Sequence, residues 1–370
     1  MLLQSNTVTP LDATAAIRLA NQGNALQVTP AASKAALSLQ DPELSALSQK
    51  LGADGSFDRS NMIQLLRNAG DKGSVDAAEF ADLQAILSPS NPIAMPESVR
   101  VLATKVVYGD LAQLEKLVQK WFYGSDRPVT PYTYQFAAGT LFKDGVKETD
   151  VRQGIAIDCY LTAAVAGIAY RDPQAIAAMF TDNGDNTYTV RFFNSGVADY
   201  ITVDRYFPST RWGTFIYSNM NAKLNDPGNE LWMALLEKAY AQINESGWIG
   251  QDGSNSYSGI AGGYVHDAIA QITNHAATTG ELQQATAIAA FQAGEVVTLK
   301  TTSTASSASI VADHAYLVTG YDATTQKFSL YNPWGADGNK DSQGVFKPGR
   351  LELSWGEITS NFLYMTHGAV

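Results

Sequence analysis

The chain carries one cysteine, Cys159, in the run Gln153-Gly154-Ile155-Ala156-Ile157-Asp158-Cys159-Tyr160-Leu161. Leu161, Ala164, Val165 and Ile168 follow at helical spacing, so the thiol is expected at or near a helix N-terminus, where the positive end of the macrodipole favours thiolate and lowers the pKa. That is the electrostatic requirement of a sulfur nucleophile. Gln153, six residues earlier, supplies an amide that could donate to the oxyanion of a tetrahedral intermediate together with the Cys159 backbone N–H. His314, in Asp313-His314-Ala315-Tyr316, opens an expected strand. Asn332, eighteen residues on in Tyr331-Asn332-Pro333-Trp334-Gly335, ends the next one. Neighbouring antiparallel strands would bring the two together, the Asn carbonyl accepting the imidazole N–H and fixing its tautomer and orientation. Singly, each residue has an ordinary reading: a small buried hydrophobe, a hydrogen-bonded core histidine, a turn residue before proline. In the order Cys, His, Asn they point to acyl transfer through a thiol.

The elements that must position these groups divide the chain. At 370 residues it has length for two to three domains, and with a single cysteine no intrachain disulfide can form. Residues 1 to about 35, rich in Ala, Thr, Asn and Gln, read as a poorly ordered or loosely helical arm. From Asp41 to Leu87 the pattern is helical and holds two phrases, Asp54-Gly55-Ser56-Phe57-Asp58 and Lys72-Gly73-Ser74-Val75-Asp76, that echo the back half of a calcium-binding EF-hand loop. The positions that should open such loops with hard oxygens are Lys50 and Gly52, and Asn68 and Gly70, so a degenerate helix-loop-helix without metal is expected. A further helical stretch runs from Glu97 to Phe122, and Gly124-Ser125-Asp126-Arg127-Pro128 has linker chemistry. Residues 1–123 are therefore expected to be a helical N-terminal module.

Beyond the linker, Tyr188–Phe193 and Tyr200–Phe207 read as strands, and Trp232, Leu235, Leu236, Ala239, Tyr240 and Ile243 share one face of an amphipathic helix. The last third reads as strands at Val296–Thr301, Ala315–Tyr321, Phe328–Tyr331 and Arg350–Ser354, with the Ser/Thr/Ala tract 301–309 a loop or hairpin tip. The expected class is α+β, an α-rich half preceding a β-rich half.

Four blocks in one order resemble the protease core of the calpains over about Phe142 to Leu363. They are Phe142-Lys143-Asp144-Gly145 with Thr149 through Gly154 and Asp158 through Ala164, Asn229 through Ala241, Asp313-His314-Ala315-Tyr316, and Asn332-Pro333-Trp334-Gly335. The resemblance implies a papain-like two-lobed cysteine protease core over 124–370, with a Cys lobe at 124–250 and a His/Asn lobe at 251–370. It also implies intracellular endopeptidase activity on protein or peptide substrates. Position by position, Cys159 would be the nucleophile, His314 the base, Asn332 its orienter and Gln153 the oxyanion donor, with Trp334 covering the His–Asn hydrogen bond from water. Such cores bind calcium in each lobe, and in the first lobe the matching ligands here would be the Gly145 carbonyl and the carboxylates of Asp150 and Glu230. Turn formation and helix capping are the ordinary roles for those two acids. No organic cofactor is implied. The sequence departs from the family at Ile157, where a glycine is usual, and at Tyr160, where a tryptophan is usual, which suggests a narrower cleft floor.

A formal charge of −11 argues against a nucleic-acid partner, and no apolar run approaches the about eighteen residues of a membrane span. The N-terminus MLLQSNTVTP has neither the basic nor the apolar region of a secretory signal, so a cytoplasmic protein is expected, secretion by a signal-less route aside. The N-terminal module is a candidate intramolecular inhibitor, which would make the chain a zymogen. Two rival readings keep the fold: a transglutaminase-like acyl transferase, in which an amine resolves the acyl-enzyme, and a catalytically inactive binding module.

Overall fold

The computed structural model describes residues 37–304 and 307–370, so the arm expected over residues 1 to about 35 lies outside the described residues except at its end. The chain divides into two compact units: one runs through Asp126 and takes in 199–202, the other comprises 127–198 and 203–370.

In the smaller unit the helices are α1 (Pro42–Leu51), α2 (Arg59–Ala69), α3 (Ala77–Leu87), α4 (Glu97–Val107) and α5 (Leu114–Tyr123). The acids of the EF-hand-like phrases act as helix caps. Asp58 accepts from the Asn61 N–H at the start of α2, and Asp76 with Glu79 forms a capping box on α3. The stretch expected as one helix from Glu97 to Phe122 is broken between α4 and α5, where Asp110 accepts from the Ala112 N–H and starts a short 3-10 turn over Leu111–Gln113. Helix α5 stops at Gly124, whose φ of 62° is the left-handed conformation that glycine adopts most cheaply. Leu44, Phe57, Met62, Leu66, Leu83, Val101, Val106 and Phe122 are among the residues buried in this unit.

The larger unit opens with strand β1 (Thr133–Phe136) and the cysteine-bearing helix α6 (Cys159–Arg171), continued by the short α7 (Pro173–Ala177). Strands β2 (Phe180–Asp182), β3 (Thr187–Asn194) and β4 (Val197–Asp204) form a three-stranded sheet, and β5 (Tyr206–Ser209) pairs with β1. The single strand expected over Tyr200–Phe207 is thus two strands divided at Arg205, whose guanidinium donates to the Ala137 and Gly139 carbonyls. Helix α8 (Trp232–Ile243) was expected to bury one face; every one of its residues is buried. Of its two charged positions, the fully buried Lys238 ammonium pairs with Asp204, which also accepts from Arg127 at 2.6 Å.

The remaining elements are α9 (Val265–Thr273), β6 (Ala277–Gly280), α10 (Gln284–Gln292), β7 (Val296–Thr301), β8 (Ala315–Asp322), β9 (Lys327–Tyr331), β10 (Asn339–Lys340), β11 (Phe346–Lys347), β12 (Arg350–Ser354), α11 (Trp355–Asn361) and β13 (Phe362–Gly368). Six of these strands make one antiparallel sheet in the order β12-β9-β8-β7-β13-β6. Both faces are covered, so the first four residues of β7 and of β8 are buried whichever face they point to. On one face Val297, Leu299, Tyr316, Val318, Phe328 and Leu330 pack with Ala287 and Ala290 of α10 and Ile358 of α11. On the other lies α6, approaching so closely that a Cβ on Gly167 would sit 2.4 Å from the Val296 side chain.

Candidate active site

The fold brings the sequence-predicted groups together through two junctions. Strands β8 and β9 are antiparallel, with Leu317 opposite Tyr331, so the residue just before β8 and the residue just after β9 fall at the same end of the sheet. Those residues are His314 and Asn332. The chain enters β8 through Asp313, which adopts a left-handed φ of 53° and donates its N–H to the Thr302 carbonyl. The His314 N–H then bonds to Thr301 Oγ1 at 2.7 Å. His314 Nε2 lies 2.9 Å from Asn332 Oδ1, and both residues are buried. Asn332 is held in turn: its backbone N–H donates to Gly349 O, its amide to Pro348 O, and its Oδ1 also accepts the Trp334 N–H. The Trp334 ring lies 5.4 Å from the imidazole, centroid to centroid.

The second junction is the segment before α6. The Gln153 N–H donates to Pro333 O at 2.8 Å and Tyr331 Oη to Val151 O at 2.9 Å, which ties the approach to Cys159 to the Asn332 turn. Gly154 passes so near the 216–217 backbone that a Cβ there would lie 2.2 Å from the Tyr217 carbonyl oxygen. Cys159 is the first residue of α6 and is partly exposed, with its sulfur against the backbone N–H of Ala315, the residue after His314.

Electrostatics correct one expectation. The helix N-terminus was expected to lower the thiol pKa, but burial dominates and pushes the Cys159 thiol up, against the Ala315 N–H and Lys300, which favour the thiolate. Burial likewise pushes His314 down to about 4, although the Asn332 hydrogen bond favours its charged form. Lys300 and Asp313, ion-paired beside the site, act on both groups with opposite sign. Both shifts favour the uncharged forms, the thiol of Cys159 and the neutral imidazole of His314. With Nε2–H committed to Asn332, Nδ1 is the free base.

Gln153 is buried at the start of α6 with its amide turned inward: Nε2 donates to Ala156 O at 2.8 Å and to Asp158 Oδ1 at 3.0 Å. Tyr160, expected to narrow the cleft floor, is turned into the core and donates to Ile260 O, whereas Ile157 is largely exposed.

Of the sequence-predicted metal ligands, Asp150 accepts the Lys147 N–H and Glu230 accepts the Lys143 N–H, each at 2.7 Å. Burial raises both carboxyls, Glu230 to about 7; the Asp150 charge adds to the shift at Glu230, and the Glu148 charge to that at Asp150. Asp150, Glu230 and the Gly145 carbonyl have the hard-oxygen chemistry that calcium takes, and each of the two carboxylates already accepts a backbone N–H. Among the described residues no group of three or more His, Cys, Asp or Glu side chains is arranged to hold a metal. No helix of the described residues is long and apolar enough to cross a membrane.

Two further carboxyls near the start of α6 carry no role in the sequence reading, Asp158 and Glu237. Both are fully buried, Asp158 just before Cys159 and Glu237 within the mostly apolar α8.

A family model described as calpain family cysteine protease matches residues 127–359. The chain is 27% identical over 215 residues to a calpain-2 catalytic subunit of Gallus gallus, 52% of this chain against 28% of that protein. It is 26% identical over 253 residues to a calpain-1 catalytic subunit of Bos taurus, 58% of this chain against 32% of that protein. A calpain-type cysteine protease of Zea mays, DEK1, is 31% identical over 137 residues, 37% of this chain and 6% of the relative. The chain thus covers no more than about a third of the length of these relatives.

Proposed function

The chain belongs to the calpain family of cysteine proteases, and from that premise we propose that it hydrolyses peptide bonds in protein substrates through Cys159, His314 and Asn332. The observation that carries the reading is the buried His314–Asn332 hydrogen bond, at 2.9 Å, whose other imidazole nitrogen is left free beside the strand start that touches the sulfur of Cys159.

Because thiol and imidazole rest neutral, attack and proton transfer are coupled: as the sulfur closes on the scissile carbonyl, its proton passes to His314 Nδ1. The imidazolium then protonates the leaving amine, and the neutral ring activates water to release the acyl group. Asn332 keeps the ring in the tautomer that leaves Nδ1 bare, and the Trp334 indole shields that hydrogen bond. The oxyanion receives the Cys159 N–H, one of the free donors of the first helical turn, and an N–H of Gln153. For the second donor, one Nε2 hydrogen bond to Ala156 or Asp158 must be shared with the oxyanion as it forms.

Calcium, where it binds, would be held by Gly145 O, Asp150 and Glu230, neutralising the two acids and stiffening the loop that leads to Gln153. Residues 1–123 are proposed to restrain activity, and a chain without them is expected to hydrolyse faster than the full one. The decisive test is digestion of casein and a peptide library by the wild type and Cys159→Ala, each with calcium and with chelator. Hydrolysis that is lost in the variant supports the nucleophile, and loss in chelator supports the metal. Products cross-linked to an added labelled amine in place of hydrolysis would favour the acyl-transfer rival, and a wild type that neither cleaves nor reacts with a peptidyl epoxide at Cys159 would favour the binding module.

A further inference from the structure

Beside the start of α6 two buried carboxyls, Asp158 and Glu237, lie within hydrogen-bond reach of each other. Asp158 immediately precedes Cys159, and Glu237 projects from α8; their exposures are 0% and 1%. Each has one oxygen with a backbone or amide donor: Gln153 Nε2 donates to Asp158 Oδ1 at 3.0 Å, and the Ser218 N–H to Glu237 Oε2 at 2.8 Å. Each has a second oxygen, Asp158 Oδ2 and Glu237 Oε1, that is buried with no partner. The titratable groups that face the pair are all neutral: Tyr160 and Tyr240 toward Asp158, Tyr217 and Tyr257 toward Glu237, and the Cys159 thiol. Among the described residues, the largest influences on the two carboxyls include no cation.

Two adjoining carboxylates in a dry site, each with an orphaned oxygen, would be strongly unfavourable. One proton between the two orphaned oxygens removes a charge and satisfies both. We propose that Asp158 and Glu237 share a single proton, resident on Glu237, and that this pair positions the Gln153 amide for the oxyanion. The assignment rests on the reading of Gln153 as oxyanion donor. An ionised Asp158 can only accept, so it draws the NH₂ end of Gln153, and not the carbonyl end, toward the start of α6 where the oxyanion forms. A protonated Asp158 would tolerate either end. Glu237, as a neutral acid donating to Asp158, is what lets that carboxylate persist out of water. The ordering agrees with the local electrostatics: burial raises both groups, Asp158 to about 6, and the Asp158 charge drives Glu237 higher still.

Infrared difference spectroscopy on the full chain tests the proton directly. At about pH 9, where Glu230 with its value of about 7 is ionised, the wild type should show the C=O band of a protonated carboxyl. The band should be absent from Glu237→Gln, whose amide replaces the acid, and from Asp158→Asn, in which Glu237 can ionise against the new donor. Kinetics tests the positioning. Glu237→Leu should lower kcat about tenfold or more with KM changed by less than about threefold, because a misoriented amide is felt only in the transition state. Glu237→Gln should recover most of that loss, since its amide donates to Asp158 and its carbonyl accepts from Ser218. A wild type without the band, a band that survives both substitutions, or a Gln variant as impaired as the Leu variant would overturn the proposal. If Glu237→Leu does not fold, the band and the Gln variant's kcat decide. A wild type that shows the band but cleaves nothing would leave the shared proton standing and refute the protease reading instead.

Discussion

The neutral state of His314 has a measurable cost at low pH. In the unfolded chain an imidazole takes up its proton near 6.5, whereas burial holds the folded ring neutral down to about 4. The folded pKa is depressed, so the unfolded state binds more protons in the intervening window and stability falls as the pH drops. His314 costs nothing above its unfolded value, its penalty grows between about 6.5 and about 4, and it levels off below. At about 1.4 kcal/mol per pH unit the full penalty is about 3 kcal/mol. His314→Gln removes the titrating group while keeping a planar side chain able to reach Asn332. Urea unfolding of wild type and variant, repeated from about pH 7.5 to about pH 4.5, isolates this contribution, since the carboxylates common to both cancel in the difference. The wild type should lose about 2–3 kcal/mol more than the variant over that range, with no difference in slope above about pH 7. A difference independent of pH, or a wild type that gains relative stability on acidification, would refute the reasoning. The second result would mean an imidazolium held by a thiolate in the resting enzyme.

Other perturbations probe the supports of the site. Asn332→Ala leaves the buried imidazole N–H without its acceptor and should cost about 1–3 kcal/mol in unfolding free energy, with a fall in kcat larger than any rise in KM. Gly154→Ala forces a methyl onto the Tyr217 carbonyl and, by displacing Gln153 beside it, should depress kcat while lowering the unfolding midpoint by an amount equivalent to about 1–3 kcal/mol. Asp204→Ala strands the fully buried Lys238 ammonium and should destabilise by about 3–5 kcal/mol in denaturant titrations, far from the thiol. Asp150→Asn combined with Glu230→Gln should abolish any calcium-dependent rise in thermal midpoint without removing Cys159 reactivity toward a small alkylating agent.

Much of this arrangement was legible before the fold. Strands β7 and β12 have the bounds expected of them, β12 because Leu351 and Leu353 alternate with the exposed Arg350 and Glu352, and α6 starts at the cysteine because its apolar residues recur at the spacing of a helix laid against the sheet. The meeting of His314 and Asn332 followed from strand adjacency alone. Other features depend on tertiary neighbours. The break at Arg205 is held by carbonyls of residues 137 and 139, far away in sequence. The short helices α9, α10 and α11 lie in a third of the chain that read as strands, and their boundaries rest on packing more than on periodicity; α10 sets Ala287 and Ala290, with the partly buried Ile288 and Phe291, against the sheet. The direction of the thiol shift could not be read because desolvation, invisible in a linear string, outweighs the helix terminus. The same is true of Glu237: in the sequence it is one acid in a helix, and only the fold sets it against Asp158.

Reaction of the native full-length chain with a peptidyl vinyl sulfone, followed by intact mass and peptide mapping, addresses the central assignment most directly. A folded wild type should acquire one adduct, on Cys159, while His314→Gln and the urea-unfolded wild type react far more slowly. Equal labelling of folded and unfolded chains, or none of the folded wild type under any condition, would contradict the assignment of Cys159 as a nucleophile activated by His314.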